Sequence, residues 1–119
     1  MKLFTKSQIE QLTKNGRENA EKVAAGGDDI DFYPVVKLFT PDGAATWLLS
    51  EIFPDDPDIA FGLCDLGVGC PEFGTVRISE LESARGALGL PIERDRHFEP
   101  TMTIGAYGLN AVWDRRIKA

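Results

Sequence analysis

Val35-Val36-Lys37-Leu38-Phe39-Thr40-Pro41-Asp42-Gly43-Ala44-Ala45-Thr46-Trp47-Leu48-Leu49-Ser50-Glu51-Ile52-Phe53 is the stretch that decides the fold. Its first six residues are rich in β-branched and aromatic side chains, which suit a pleated, half-buried surface. Pro41-Asp42-Gly43-Ala44 has the chemistry of a turn, and Ala45 to Phe53 resumes an extended pattern, so the whole reads as a β-hairpin. Pro54-Asp55-Asp56-Pro57-Asp58 supplies the next turn, Ile59 to Leu66 a third strand, Gly67-Val68-Gly69-Cys70-Pro71 a reversal and Phe73 to Ile78 a fourth strand. Loops this short make neighbouring strands antiparallel, which predicts a meander of three to four strands.

Helices flank this sheet. Ser7 followed by Glu10 suggests a capping box, and Ile9, Leu12 and Val23 among polar residues give an amphipathic helix that Gly26-Gly27 ends. Asn15-Gly16 weakens that helix near its middle, because Gly costs about 1 kcal/mol relative to Ala there. Asp28, Asp29 and Asp31 form an acidic, solvated linker. Ser79 and Glu82 suggest a second capping box, for a short helix over Glu80 to Ala87 closed by Gly89. Leu90 to Phe98 is extended and charged, as suits an edge strand or a crossing loop. Thr101 or Thr103 caps a last helix through Trp113. The fold class is therefore α+β, in a single domain over 1–119, with a helical region at 1–27, a sheet module at 32–98 and a C-terminal helix at 101–115.

With 119 residues, 43% of them hydrophobic, the chain can build one small core. A net charge of -6 excludes a broad basic surface for nucleic acid and leaves room only for a local basic spot. No run approaches the roughly 20 apolar residues that span a bilayer, and Met1-Lys2-Leu3-Phe4-Thr5-Lys6 lacks the apolar stretch of a signal peptide. A cytoplasmic address follows, with Cys64 and Cys70 as thiols.

Arg94-Asp95-Arg96-His97 is the densest polar run. Two guanidiniums beside an imidazole can grip a phosphate or carboxylate, although strand alternation would put Arg94 and Arg96 on one face and Asp95 and His97 on the other. Glu51 and Asp65 could converge on them from neighbouring strands. Trp47 and Phe61 suit the core better than a base-stacking platform, since Glu51, Asp65 and Glu72 make the surroundings acidic. Cys64, Cys70, His97 and Asp65 form only a weak zinc set, and Asp55-Asp56-Pro57-Asp58 lacks the Gly and distal Glu of a calcium loop. Gly67-Val68-Gly69 is followed by neither Lys-Ser nor Lys-Thr, so it is not a phosphate loop. The binding candidates are thus Trp47, Glu51, Asp65, Arg94, Asp95, Arg96 and His97. No catalytic residue, metal or cofactor is specified, and catalysis is not expected.

Seven segments in order, Leu3-Phe4-Thr5-Lys6, Pro34 to Phe39, Trp47 to Glu51, Ile59 to Leu63, Pro71 to Gly74, Ser79 to Leu81 and Gly89 to Asp95, resemble the bacterial family catalogued as domain of unknown function 2958. The resemblance implies a setting in plasmids and other mobile elements, near or fused to DNA-handling domains, and it brings no catalytic residues. The leading expectation is a small soluble accessory protein that binds a protein partner. One alternative is an acidic DNA mimic acting against restriction or CRISPR systems. Another is a nucleic-acid-processing enzyme or single-strand-binding module using Arg94, Arg96 and His97.

Overall fold

The computed structural model describes residues 3–119, so Met1 and Lys2, at the head of the segment read against a signal peptide, lie outside the described residues. Its elements are α1 (Lys6–Ala24), β1 (Val36–Phe39), β2 (Thr46–Ile52), β3 (Ile59–Asp65), β4 (Glu72–Arg77), α2 (Ile78–Ser83), β5 (Glu93–Arg94) and α3 (Ile104–Asp114). All the strand pairings are antiparallel, in the order β4-β3-β2-β1-β5. The fold is α+β, and the four-strand meander gains a two-residue fifth strand at its edge. Leu90 to Phe98 is therefore extended over far less than its alternation suggested. Asp95 N–H still bonds the Lys37 carbonyl at 2.9 Å, but the Asp95 carboxylate then accepts the His97 N–H at 2.9 Å and the chain turns away.

The sheet has two packed faces. On one, Trp47, Leu49, Ile52 and Ala60 join Leu12 of α1, Leu81 of α2 and Ile92. On the other, Leu48 and Leu63 pack against Ile104, Tyr107 and Ala111 of α3. Gly108 on α3 seats the Phe73 ring, where a Cβ would overlap it.

The Asn15-Gly16 pair, read as a weak point of α1, is its docking point. β1 pairs with β2 only as far as Leu49, and beyond that α1 meets the β2 backbone. Asn15 Nδ2 donates to the Ser50 carbonyl at 2.9 Å, and Gly16 comes so close to Ile52 that a Cβ would overlap the Ile52 carbonyl oxygen. The propensity cost within the helix is offset by a contact that no larger residue permits.

The helix caps also differ from the local reading. Around α1 the box is formed by Thr5 and Gln8, whose side chains each accept the other's backbone N–H, at 2.9 and 3.1 Å. Ser7 lies inside the helix, so Glu10 is not its cap partner. At α2, Ser79 is capped by Asp58, which accepts its N–H at 2.9 Å and its hydroxyl at 2.7 Å. These bonds hold the Asp58 carboxyl below its ordinary range, with the Ser79 hydroxyl as the main cause. α2 stops at Ser83, short of Ala87, because Asp42 Oδ2 accepts the N–H groups of Leu88 and Leu90 and holds that segment as a loop. At α3 the Thr103 hydroxyl accepts from Ala106 N–H and Asp31 accepts from Gly105 N–H at 2.8 Å. Asp29 and Asp31 are exposed, as the linker reading expected, and together with Asp58 they also fasten segments to one another.

Candidate functional site

Strand alternation would place Glu51 on the same face as Trp47 and Leu49. An irregularity between Leu49 and Glu51 breaks that count, so Glu51 lies opposite Phe61 and Ile52 opposite Ala60. Ile52 joins the Leu12 core, and Glu51 is delivered to the other face. There it is only 6% exposed.

Two hollows meet at this carboxyl. One, of about 230 Å³, is lined by Asn19, Asp29, Ile30, Glu51, Phe53 and Phe61. The other, of about 380 Å³, shares Asn19, Asp29, Glu51 and Phe53 and adds an apolar wall that includes Ala20 and Val23. Asn19 organises the junction: its Nδ2 donates to Asp29 at 3.0 Å, and its Oδ1 accepts the Ile30 N–H at 2.7 Å. Burial is the main force on Glu51, and the Asp29 charge adds to it. Together they push the carboxyl up to about 7 from an ordinary 4.5, while the Asn19 amide pulls the other way. Such a group changes charge near neutral pH, which a solvated glutamate does not.

The other sequence candidates are dispersed. Asp65 lies opposite Thr46, at the far end of the β2–β3 ladder from the Glu51–Phe61 pair, so the two acids do not converge. It accepts the Gly67 N–H at 2.8 Å and the Ile117 N–H at 3.0 Å, fastening the segment after α3 to the sheet. Trp47 is buried in the Leu12 core. Arg94 donates to the Leu3 carbonyl at 2.9 Å, and Asp95 pairs with Lys37 at 3.5 Å. Arg96 and His97 are exposed in the turn that follows. The run Arg94 to His97 is thus divided between a backbone tether, an ion pair and an open turn.

Phe61 stacks on Phe73 with ring centroids 6.1 Å apart, so these two aromatics cover each other. Among the described residues, no three His, Cys, Asp or Glu side chains are grouped to hold a metal ion. Cys64 is half-buried and burial raises its thiol pKa, whereas Cys70 is exposed. No helix among the described residues is long and apolar enough to cross a membrane.

One apolar surface went unnoticed in the sequence. α3 buries Ile104, Tyr107, Gly108 and Ala111, yet its opposite side carries Leu109, Val112 and Trp113, which are 64%, 65% and 83% exposed. Spacings of three and four place these side chains together on the helix surface. The signal was available as a helix apolar on both sides, which ordinarily is buried on both sides.

The family model for a protein of unknown function, DUF2958, matches residues 3–117. The chain belongs to this family. DUF2958 is here a five-stranded antiparallel sheet packed between α1 and α2 on one face and α3 on the other. No curated protein and no solved structure matches the chain.

Proposed function

We propose that this DUF2958 protein is a small accessory module that binds a protein partner through the outer side of α3, in the mobile-element setting its family resemblance implies. The observation that carries this reading is the exposed Leu109-Val112-Trp113 surface. An exposed apolar helix side of this kind marks an interaction site, and Trp is the residue most often found as an interface anchor. Its neighbours favour one kind of partner. Arg115 turns the chain out of α3 with φ 59°, and among the described residues neither Arg115 nor Arg116 closes an ion pair. In a chain of net charge -6, this basic pair beside an apolar helix suits a partner with an apolar groove bordered by acids. A second copy docking about a two-fold axis would bring the same basic residues towards each other, which disfavours self-association.

The acidic-mimic reading has less support, because Asp29, Asp31, Asp42, Asp58 and Asp65 are occupied with internal hydrogen bonds. The nucleic-acid reading loses Arg94 to its backbone tether.

The test is affinity capture from the producing cell with three baits: the parent, Leu109→Ser with Trp113→Ala, and Arg115→Glu with Arg116→Glu. A protein retained by the parent and lost from both variants, each still folded by circular dichroism, is the expected result. Equal capture by all three baits, or a concentration-dependent dimer of the parent in sedimentation, would overturn the reading.

A further inference from the structure

The hollow at Glu51 shares no residue with the outer side of α3 and has a separate chemistry. Three acids, Asp29, Glu51 and Asp55, line the joined hollows, and among the described residues no Lys, Arg or His does. Glu51 is more than nine-tenths buried and lines both hollows, among the described residues no Lys, Arg or His pairs with it, and the Asn19 amide beside it is shared with Asp29. A buried carboxylate with neither counter-ion nor full hydrogen bonding is costly, and it is relieved by a proton or by a cation from outside. The rest of the wall, Ala20, Val23, Phe53 and Phe61, is apolar and matches a hydrocarbon stem.

We infer that this hollow binds an alkylammonium group, with the nitrogen at the Glu51 and Asp29 carboxyls and the methylene stem along Val23, Ala20 and Phe53. The ammonium is carried either by a free amine or by a lysine side chain. The smaller hollow alone, about 230 Å³, has room for roughly seven or eight water-sized heavy atoms, enough for a five-carbon amine. A cation there competes with the proton on Glu51. Asp29 from the loop after α1, whose charge acts on Glu51 in the same sense as burial, and Asp55 from the β2–β3 turn line the same space, and α1 contributes only Asn19 and apolar side chains.

The experiment is an amide NMR titration of the full chain with n-pentylammonium, Nα-acetyl-lysine methylamide and the uncharged n-pentanol, at pH 8 and pH 5.5. An ammonium compound should shift the amides of Asn19, Glu51 and Phe61, and n-pentanol should not. With the Glu51 carboxyl near 7, only about one-thirtieth of it is ionised at pH 5.5, so affinity should fall about thirtyfold between the two pH values. Glu51→Gln, checked for folding by its spectrum, should abolish the shifts at pH 8. Response to both ammonium compounds supports the site and admits a free amine, whereas response to the lysine compound alone supports it with a peptide ligand. Equal shifts with n-pentanol, no shifts with either ammonium at pH 8, or unchanged binding by Glu51→Gln would overturn the inference. These outcomes are independent of the α3 capture experiment.

Discussion

Replacing Glu51 by Gln removes a proton-binding group whose folded and unfolded states disagree. In the unfolded chain the carboxyl returns to its ordinary 4.5, and in the folded protein it loses its proton only near 7. Between these values the folded state holds more protons than the unfolded one, so stability falls as pH rises. The contribution is fully present below pH 4.5 and is lost as pH passes through 7. A rise from 4.5 to about 7 corresponds to about 3 kcal/mol. Against a typical total of roughly 5–15 kcal/mol, that is a large share. Urea unfolding at half-unit steps from pH 4.5 to 8.5 should show the parent losing stability across this window, with Glu51→Gln free of that slope. Gln has its own packing and hydrogen-bond costs, so the difference in slope carries the test, whereas the offset does not. Groups remote from Glu51 are common to both chains and cancel in the comparison, so the difference reports Glu51 together with Asp29, which acts on it. Parallel pH profiles would refute the reasoning that burial and Asp29 govern Glu51.

Three further outcomes are expected. Gly16→Ala should lower stability by roughly 1–3 kcal/mol in urea unfolding despite the better helix propensity of Ala, because its Cβ overlaps the Ile52 carbonyl; a stabilised variant would mean that α1 docks differently. Asp42→Ala should free the Leu88 and Leu90 amides and cost roughly 1–3 kcal/mol, read as faster hydrogen exchange at those two positions. Iodoacetamide should modify exposed Cys70 well before Cys64, whose thiolate is disfavoured by burial, and peptide mass spectrometry over time would show the reverse order if the β3 packing is wrong.

The strands could be read directly because turn chemistry and apolar runs are local: Pro41 to Ala44 and Pro54 to Asp58 mark the reversals wherever the rest of the chain lies. The last strand and the helix ends depend on distant partners. α2 ends at Ser83 because Asp42, more than forty residues earlier, holds the Leu88 and Leu90 amides, and Gly86 and Gly89 signal a stop within residues 80–90 without showing that it falls before Ala84. Ser7 and Ser79 matched their capping patterns, yet Thr5 offered the same chemistry two residues earlier and Asp58 reached Ser79 from another turn. Glu51 was noticed as an acid on a strand. Its burial beside Asp29 and Asn19 depends on where α1 docks, which the spacing of Asn15 and Gly16 carries only in retrospect. The polar run at Arg94 to His97 drew attention by density alone, and density says nothing about whether a guanidinium is already occupied.

The irregularity at Ser50 makes the Glu51 hollow a matter of counting. With Ser50 retained and paired regularly opposite Phe61, the acid would be sent towards Leu12 and Leu38 and Ile52 turned towards the hollow, exchanging a polar site for a greasy one without altering either side chain, whereas deleting Ser50 leaves Glu51 opposite Phe61 and the acid in place. The pairing register within β2 therefore carries more chemical meaning than most point substitutions there. What marks the acidic hollow is therefore a glutamate paired opposite the position of Phe61, whatever the length of the strand.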